Sequence, residues 1–230
     1  MKYYIINRDE NCKGVPFLLN AVLAENFDPK NPMPPMKGYS WTPSPGYAKK
    51  FPKELYLISK DRLYKFDYMP FWIGYVISSD FFELIAQYSN FEYTIVKLHT
   101  INWKEKVITD KKYFFLYIPY KNWLNAIDFE KSKFILDDDL IKMKGLSAEK
   151  ILSKKDFVSN IKTYDSIYIN ESKCNNNQIF KINDNIIHDL ICSDSFLKKM
   201  MESNIYGINV IDTEFSYKYF SKFETNGIAE

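Results

Sequence analysis

The chain has 230 residues, 46% of them hydrophobic and 17% aromatic, with 31 basic against 29 acidic side chains. That length suits one large domain or two small ones, and a net charge of +2 gives no case for a nucleic-acid groove or a polybasic membrane surface. Three widely spaced cysteines, Cys12, Cys174 and Cys192, argue against a disulfide framework and fit a reducing cytosol.

The opening "MKYYIINRDENCKG" reads as a strand over Met1 to Ile6. Its apolar run stops at Asn7, Arg8 and Asp9, too soon for a secretory signal. No stretch approaches the roughly 20 apolar residues of a membrane span. The expectation is a cytoplasmic chain without membrane contact. Val15 to Asn26 fits a short amphipathic helix or a strand equally well. Residues 28–52 then hold seven of the ten prolines. Proline lacks the amide donor and fixes φ, so this is an extended, turn-rich loop. It reads either as a surface meander or as a docking arm carrying Tyr39, Trp41 and Tyr47.

"LYLIS" (Leu55 to Ser59) and "FWIGYVIS" (Phe71 to Ser78) are strand-like in their aromatic and β-branched content. Ser79 or Asp80 can cap a helix over Phe81 to Tyr88, with Phe82 and Ala86 on one face. "EYTIVKLHTI" returns to strand. Tyr113 to Tyr120 is apolar throughout and predicts a strand buried on both faces. A short helix or turn follows around Trp123, Leu124 and Ile127. Further strand-like pieces, "SIYIN" and "NQIFKIN", flank the polar loop "ESKCNNN".

Ile77 to Phe91, "ISSDFFELIAQYSNF", has an echo 114 residues on, "ICSDSFLKKMMESNI", with Ile, Ser, Asp, Phe, Ser and Asn in step. The second copy predicts a strand over Ile186 to Cys192, a cap at Ser193 or Asp194, and a helix with Phe196, Leu197, Met200 and Met201 on one face. The match reads either as a duplicated strand–helix–strand unit, about 71–100 and 186–215, or as a chance recurrence. The fold class is α+β, with mixed, strand-rich sheets and a few short helices. The whole chain, 1–230, reads as a single domain, divisible into sub-lobes at 1–110 and 111–230.

Chemistry enters mainly by exclusion. The closest glycines, Gly38 and Gly46, are too far apart for G-x-G-x-x-G or a phosphate-cradling loop, and no G-x-S-x-G elbow exists. With two histidines, His99 and His188, and no C-x-x-C, common zinc spacings fail. No catalytic residue, metal or cofactor is assigned. His99 reads as a strand-end side chain, and pairing with Cys192 has nothing in its favour. "WKEKVITDKKYFF" interleaves lysine with aromatics, but Glu105 and Asp110 dilute its charge, so it reads as a solvated loop. The run Asp137, Asp138 and Asp139 is a solvated turn, a partner-facing acidic edge or a cation site.

The segment "YFFLYIPYKNWLNAIDFEKS" resembles the middle of certain bacterial immunity proteins, where an aromatic-aliphatic strand leads to a Leu-Asp or Ile-Asp and a Ser a few residues on. Ile127, Asp128 and Ser132 stand at those places, with Pro119 and Lys121 as departures. "IICSDSFLKKMMESNIYGINV" resembles their C-terminal unit, and "VISSDFFELIAQYSNFEYTIVKL" the same unit placed upstream. Over about Tyr75 to Phe215 the chain is similar to immunity-protein families eleven and forty-three, found beside polymorphic toxins. The resemblance implies a protein that binds and neutralises a cognate toxin, with no catalytic residues. Asp137, Asp138, Asp139, Tyr39 and Trp41 are then the candidate contact residues. The alternative is an enzyme using dispersed Asp, Glu and Tyr, which would gather two carboxylates of divergent pKa in one pocket.

Overall fold

The computed structural model describes residues 1–17, 19–35, 51–136, 139, 161–182 and 187–214. Among them are twelve strands and two α-helices. Val, Ile, Tyr and Phe fill the strands because branched and aromatic side chains pack well on a pleated surface.

Six strands form one sheet in the order β2 (Ala21–Ala24), β3 (Glu54–Ser59), β6 (Thr94–Asn102), β7 (Tyr113–Tyr117), β5 (Gly74–Ser78) and β4 (Tyr68–Phe71). Only the β3–β6 pair is parallel. A second, antiparallel sheet runs β10 (Ile179–Phe180), β11 (Ile191–Ser193), β1 (Tyr3–Arg8) and β12 (Ile208–Asp212). β8 (Lys133–Leu136) and β9 (Ile161–Ser166) make a separate irregular pair. The α+β, strand-rich expectation holds.

Two helices, α1 (Ser79–Tyr88) and α2 (Asp194–Glu202), help fill the space between the larger sheets. Phe81, Leu84 and Ile85 of α1 meet Phe196 and Met200 of α2 in one apolar cluster, with Tyr75, Ile77 and Leu116 from one sheet and Ile6, Ile179 and Cys192 from the other. The other face of the six-stranded sheet buries Leu55, Leu57, Val76, Val96, Leu98 and Phe115. β7 contributes Phe114 and Leu116 to the first cluster and Tyr113 and Phe115 to the second, so it is covered on both faces as its composition predicts. Each fully buried Phe or Ile stabilises the fold by about 1.5–3 kcal/mol.

Several details differ from the sequence reading. "FWIGYVIS" is a hairpin, not one strand: β4 turns at Trp72 and Ile73 into β5, and Phe71 pairs with Gly74. Trp72 takes φ +56°, held by packing against the apolar face. Gly74 is required there, because a Cβ would sit 2.4 Å from the Leu116 carbonyl oxygen. The ambiguous Val15–Asn26 stretch contains β2. β11 is three residues long, shorter than the strand expected from Ile186. The buried stripe of α1 is Phe81, Leu84 and Ile85, while Ala86 is exposed. Met201 of α2 is also exposed.

The internal echo takes a different phase in three dimensions. Ser78 caps α1 by accepting from the Phe81 N–H, and Ser193 caps α2 by accepting from the Phe196 N–H. Ser78 pairs across the ladder with Tyr113 of β7, and Ser193 with Tyr3 of β1. In each unit a strand–helix–strand segment straddles one antiparallel strand, giving β5-β7-β6 and β11-β1-β12. The equivalence is therefore 115 residues, one more than the sequence match. At that offset only Ser78/Ser193 and Phe81/Phe196 are identical between 74 and 98, yet the pairing runs without a gap from cap to second strand. Leu98 sits opposite Tyr113, and the Thr213 N–H reaches the Tyr3 carbonyl at 3.2 Å.

Candidate functional site

Of the candidate contact residues, Asp139 is exposed; Asp137, Asp138, Tyr39 and Trp41 lie outside the described residues. The Ile127–Asp128–Ser132 motif forms a structural stitch. Ile127 is buried and bridges Ile169. The Asp128 N–H donates to the Tyr168 carbonyl at 2.8 Å. The Ser132 hydroxyl donates to the Asp128 carbonyl at 2.6 Å and accepts from the Tyr168 N–H at 2.9 Å.

An open cleft of about 490 Å³ lies where β6 outruns β7. β7 joins β6 only as far as Leu98, opposite Tyr113, whereas β6 continues to Asn102 along β3. The connecting loop arches over this overhang. Asn102 anchors it, accepting the Lys104 and Lys106 N–H groups on its Oδ1 at 2.9 and 3.0 Å, and Val107 bridges back to Ile101. Lys97, His99, Thr100, Val107, Thr109, Lys111 and Lys112 are among the lining residues, and no carboxylate is.

Charges at this cleft are unevenly committed. Asp67, 1% exposed, holds the Lys111 ammonium at 2.5 Å and accepts the Tyr206 N–H at 2.6 Å. Lys97 and His99 both reach Glu54 on the neighbouring strand, at 3.6 and 2.9 Å. The His99 hydrogen bond is the main influence that holds the Glu54 carboxyl below its usual range, with Lys97 assisting. His99 also stacks on Tyr56, ring centroids 5.0 Å apart; it lies within β6, not at its end. Lys112 is exposed and has no acidic partner among the described residues. Thr100 is 6% exposed, and its hydroxyl makes no hydrogen bond. Beside the cleft, Trp103 and Val107 are 47% and 73% exposed, and the Lys104 ammonium lies 4.7 Å from the Trp103 ring centre.

A second polar cluster lies in the seam between the sheets, with Tyr68 and Tyr75 buried and Asp189 half-buried. The Tyr68 hydroxyl donates to Asp189 at 3.1 Å and accepts from the Leu190 N–H at 3.1 Å. The Tyr75 hydroxyl donates to the His188 carbonyl at 2.8 Å. Burial pushes the Asp189 carboxyl up to about 6, against the pull of the Tyr68 hydrogen bond and the nearby His188, Arg8 and Lys181 charges. Burial also drives the Cys192 thiol well above its ordinary value, so it is a neutral core group. It sits in the helix-packing cluster, while His99 is engaged by Glu54. The shifted carboxyls of Asp189 and Glu54 thus occupy separate places, one in the seam and one on the surface. Among the described residues no group of three or more His, Cys, Asp or Glu is placed to hold a metal, and no helix is long and apolar enough to cross a membrane.

Sequence reasoning missed the cleft, because it arises from a strand overhang, and the His99–Glu54 contact, because it needs the parallel β3–β6 register. Two split strand–helix–strand units share one core. The family model described as Immunity protein 43 matches residues 7–226. The chain belongs to that immunity-protein family. No curated protein matches it.

Proposed function

We propose that this chain is an immunity factor that binds a cognate toxin in the cytoplasm of the cell producing both, and neutralises it by occlusion without chemistry of its own. The family match over residues 7–226 carries this reading. The aromatic surplus suits it too, since Tyr and Trp are favoured interface anchors. The acidic run Asp137–Asp139, of which Asp139 is exposed, and the aromatic pair Tyr39 and Trp41 are the proposed contact residues.

The test is co-expression with the protein encoded next door. Growth arrest by the neighbour, relieved by this chain, is the expected result. A harmless neighbour, or unrelieved arrest, overturns the reading. Within a working pair, replacing Asp137, Asp138 and Asp139 by Asn should weaken binding by more than about 1 kcal/mol. Unchanged affinity would return the run to a solvated turn.

A further inference from the structure

The geometry points to the β6–β7 cleft as the docking place for an acidic loop of a protein partner. The inference rests on the functional reading above, which makes that partner the toxin. Lysines and a histidine line the cleft without a carboxylate among them. Lys112 has no acidic partner among the described residues and is exposed. Lys97 is held only by an exposed contact to Glu54 at 3.6 Å, and such surface pairs are weak enough to exchange partners. Lys111 stays with buried Asp67 and serves as a fixed wall.

Thr100 lines the cleft with a buried hydroxyl that has no hydrogen-bond partner among the described residues. Trp103 and Val107 provide exposed apolar surface at the rim, where Trp contributes strongly to protein interfaces. His99 lies within the same lining. The loop is pre-shaped by the Asn102 hydrogen bonds, so little ordering is needed on docking. A protein segment fits better than a nucleic acid, because Tyr113 of the lining is buried and the well-exposed aromatic surface nearby is that of Trp103, too small a platform for successive bases.

The experiment uses the full chain and the full-length product of the adjacent gene. Affinity is measured by calorimetry at low and high salt for the wild type, the double variant K97E/K112E and the control K173E. Lys97, Lys112 and Lys173 are exposed, and melting curves verify that each variant folds. The double variant should bind about tenfold or more weakly at low salt, with the gap narrowing at high salt as charges are screened. The control should match the wild type. Carbodiimide treatment of the complex should join Lys97 or Lys112 to Asp or Glu of the partner. A complex unaffected by the double variant, cross-linked only elsewhere, overturns the docking place and leaves the immunity reading intact. A wild-type chain that binds nothing overturns the immunity reading and, with it, the identity of the occupant. Capture of a single-stranded oligonucleotide that the double variant loses overturns the choice of a protein partner.

Discussion

Phe81 and Phe196 occupy the same place in their respective units, three residues after a capping serine, and they touch. Their rings meet edge to face with centroids 6.3 Å apart. Equivalent residues in mutual contact are what an approximate two-fold relationship produces. Here it joins two strand–helix–strand units of one chain. Both side chains are fully buried, so truncation leaves a cavity at the middle of the inter-sheet core. Phe81→Ala or Phe196→Ala should cost about 3–5 kcal/mol each. A double-mutant cycle in urea should return a coupling of about 1 kcal/mol, as expected of touching aromatic pairs. Additive single effects would place the two rings in independent environments and refute the shared core.

The phase of the two units gives a sharper expectation. At 115 residues, Ser78 and Ser193 are the caps. The 114-residue sequence match would give that role to Ser79, which lies inside the helix and bonds its neighbour Asp80. Removing a true N-cap costs about 1 kcal/mol. Thermal unfolding should therefore show Ser78→Ala and Ser193→Ala destabilised by about that amount, and Ser79→Ala changed by about half a kcal/mol or less. A reversed order for Ser78 and Ser79 would restore the sequence phase.

The sequence made the element types legible where local signals were strong. β1, β3, β6 and β7 follow from branched and aromatic runs, and both helices from a Ser-Asp start with an apolar stripe. The hairpin at Trp72 and Ile73 was hidden because it lacks Asn-Gly or any other turn residue. Packing of Trp72 against the core sustains its positive φ. The 115-residue equivalence was hidden because only two residues are identical at that offset; what persists is apolar pattern, such as Val76 against Ile191 and Ile85 against Met200. Two of the cleft lysines, Lys111 and Lys112, stood in the sequence within a diluted basic loop, and the third, Lys97, within a strand. What gives them a common direction is β6 running past the start of β7, which no local pattern encodes. Ile127, Asp128 and Ser132, which carried the family resemblance, serve as internal fasteners. Resemblance pointed to the right family through residues that hold the fold.

Asp189 links the seam between the sheets to pH. Its carboxyl is pushed up to about 6 by burial, from an ordinary value near 3.9 in the unfolded chain. Between about pH 4 and pH 6 the folded state therefore binds more protons than the unfolded state, and stability falls as pH rises through that window. Above it, the ionised carboxylate sits in the seam at a cost of up to about 3 kcal/mol. Asp189→Asn removes the charge and keeps an oxygen to accept from Tyr68. The variant should be more stable than the wild type at pH 7, and the advantage should shrink on acidification and vanish near pH 4. Urea unfolding from pH 4 to pH 7.5 measures the difference between the two curves. Parallel curves would mean that Asp189 titrates normally in the folded protein, with the Tyr68, His188, Arg8 and Lys181 surroundings fully offsetting its burial.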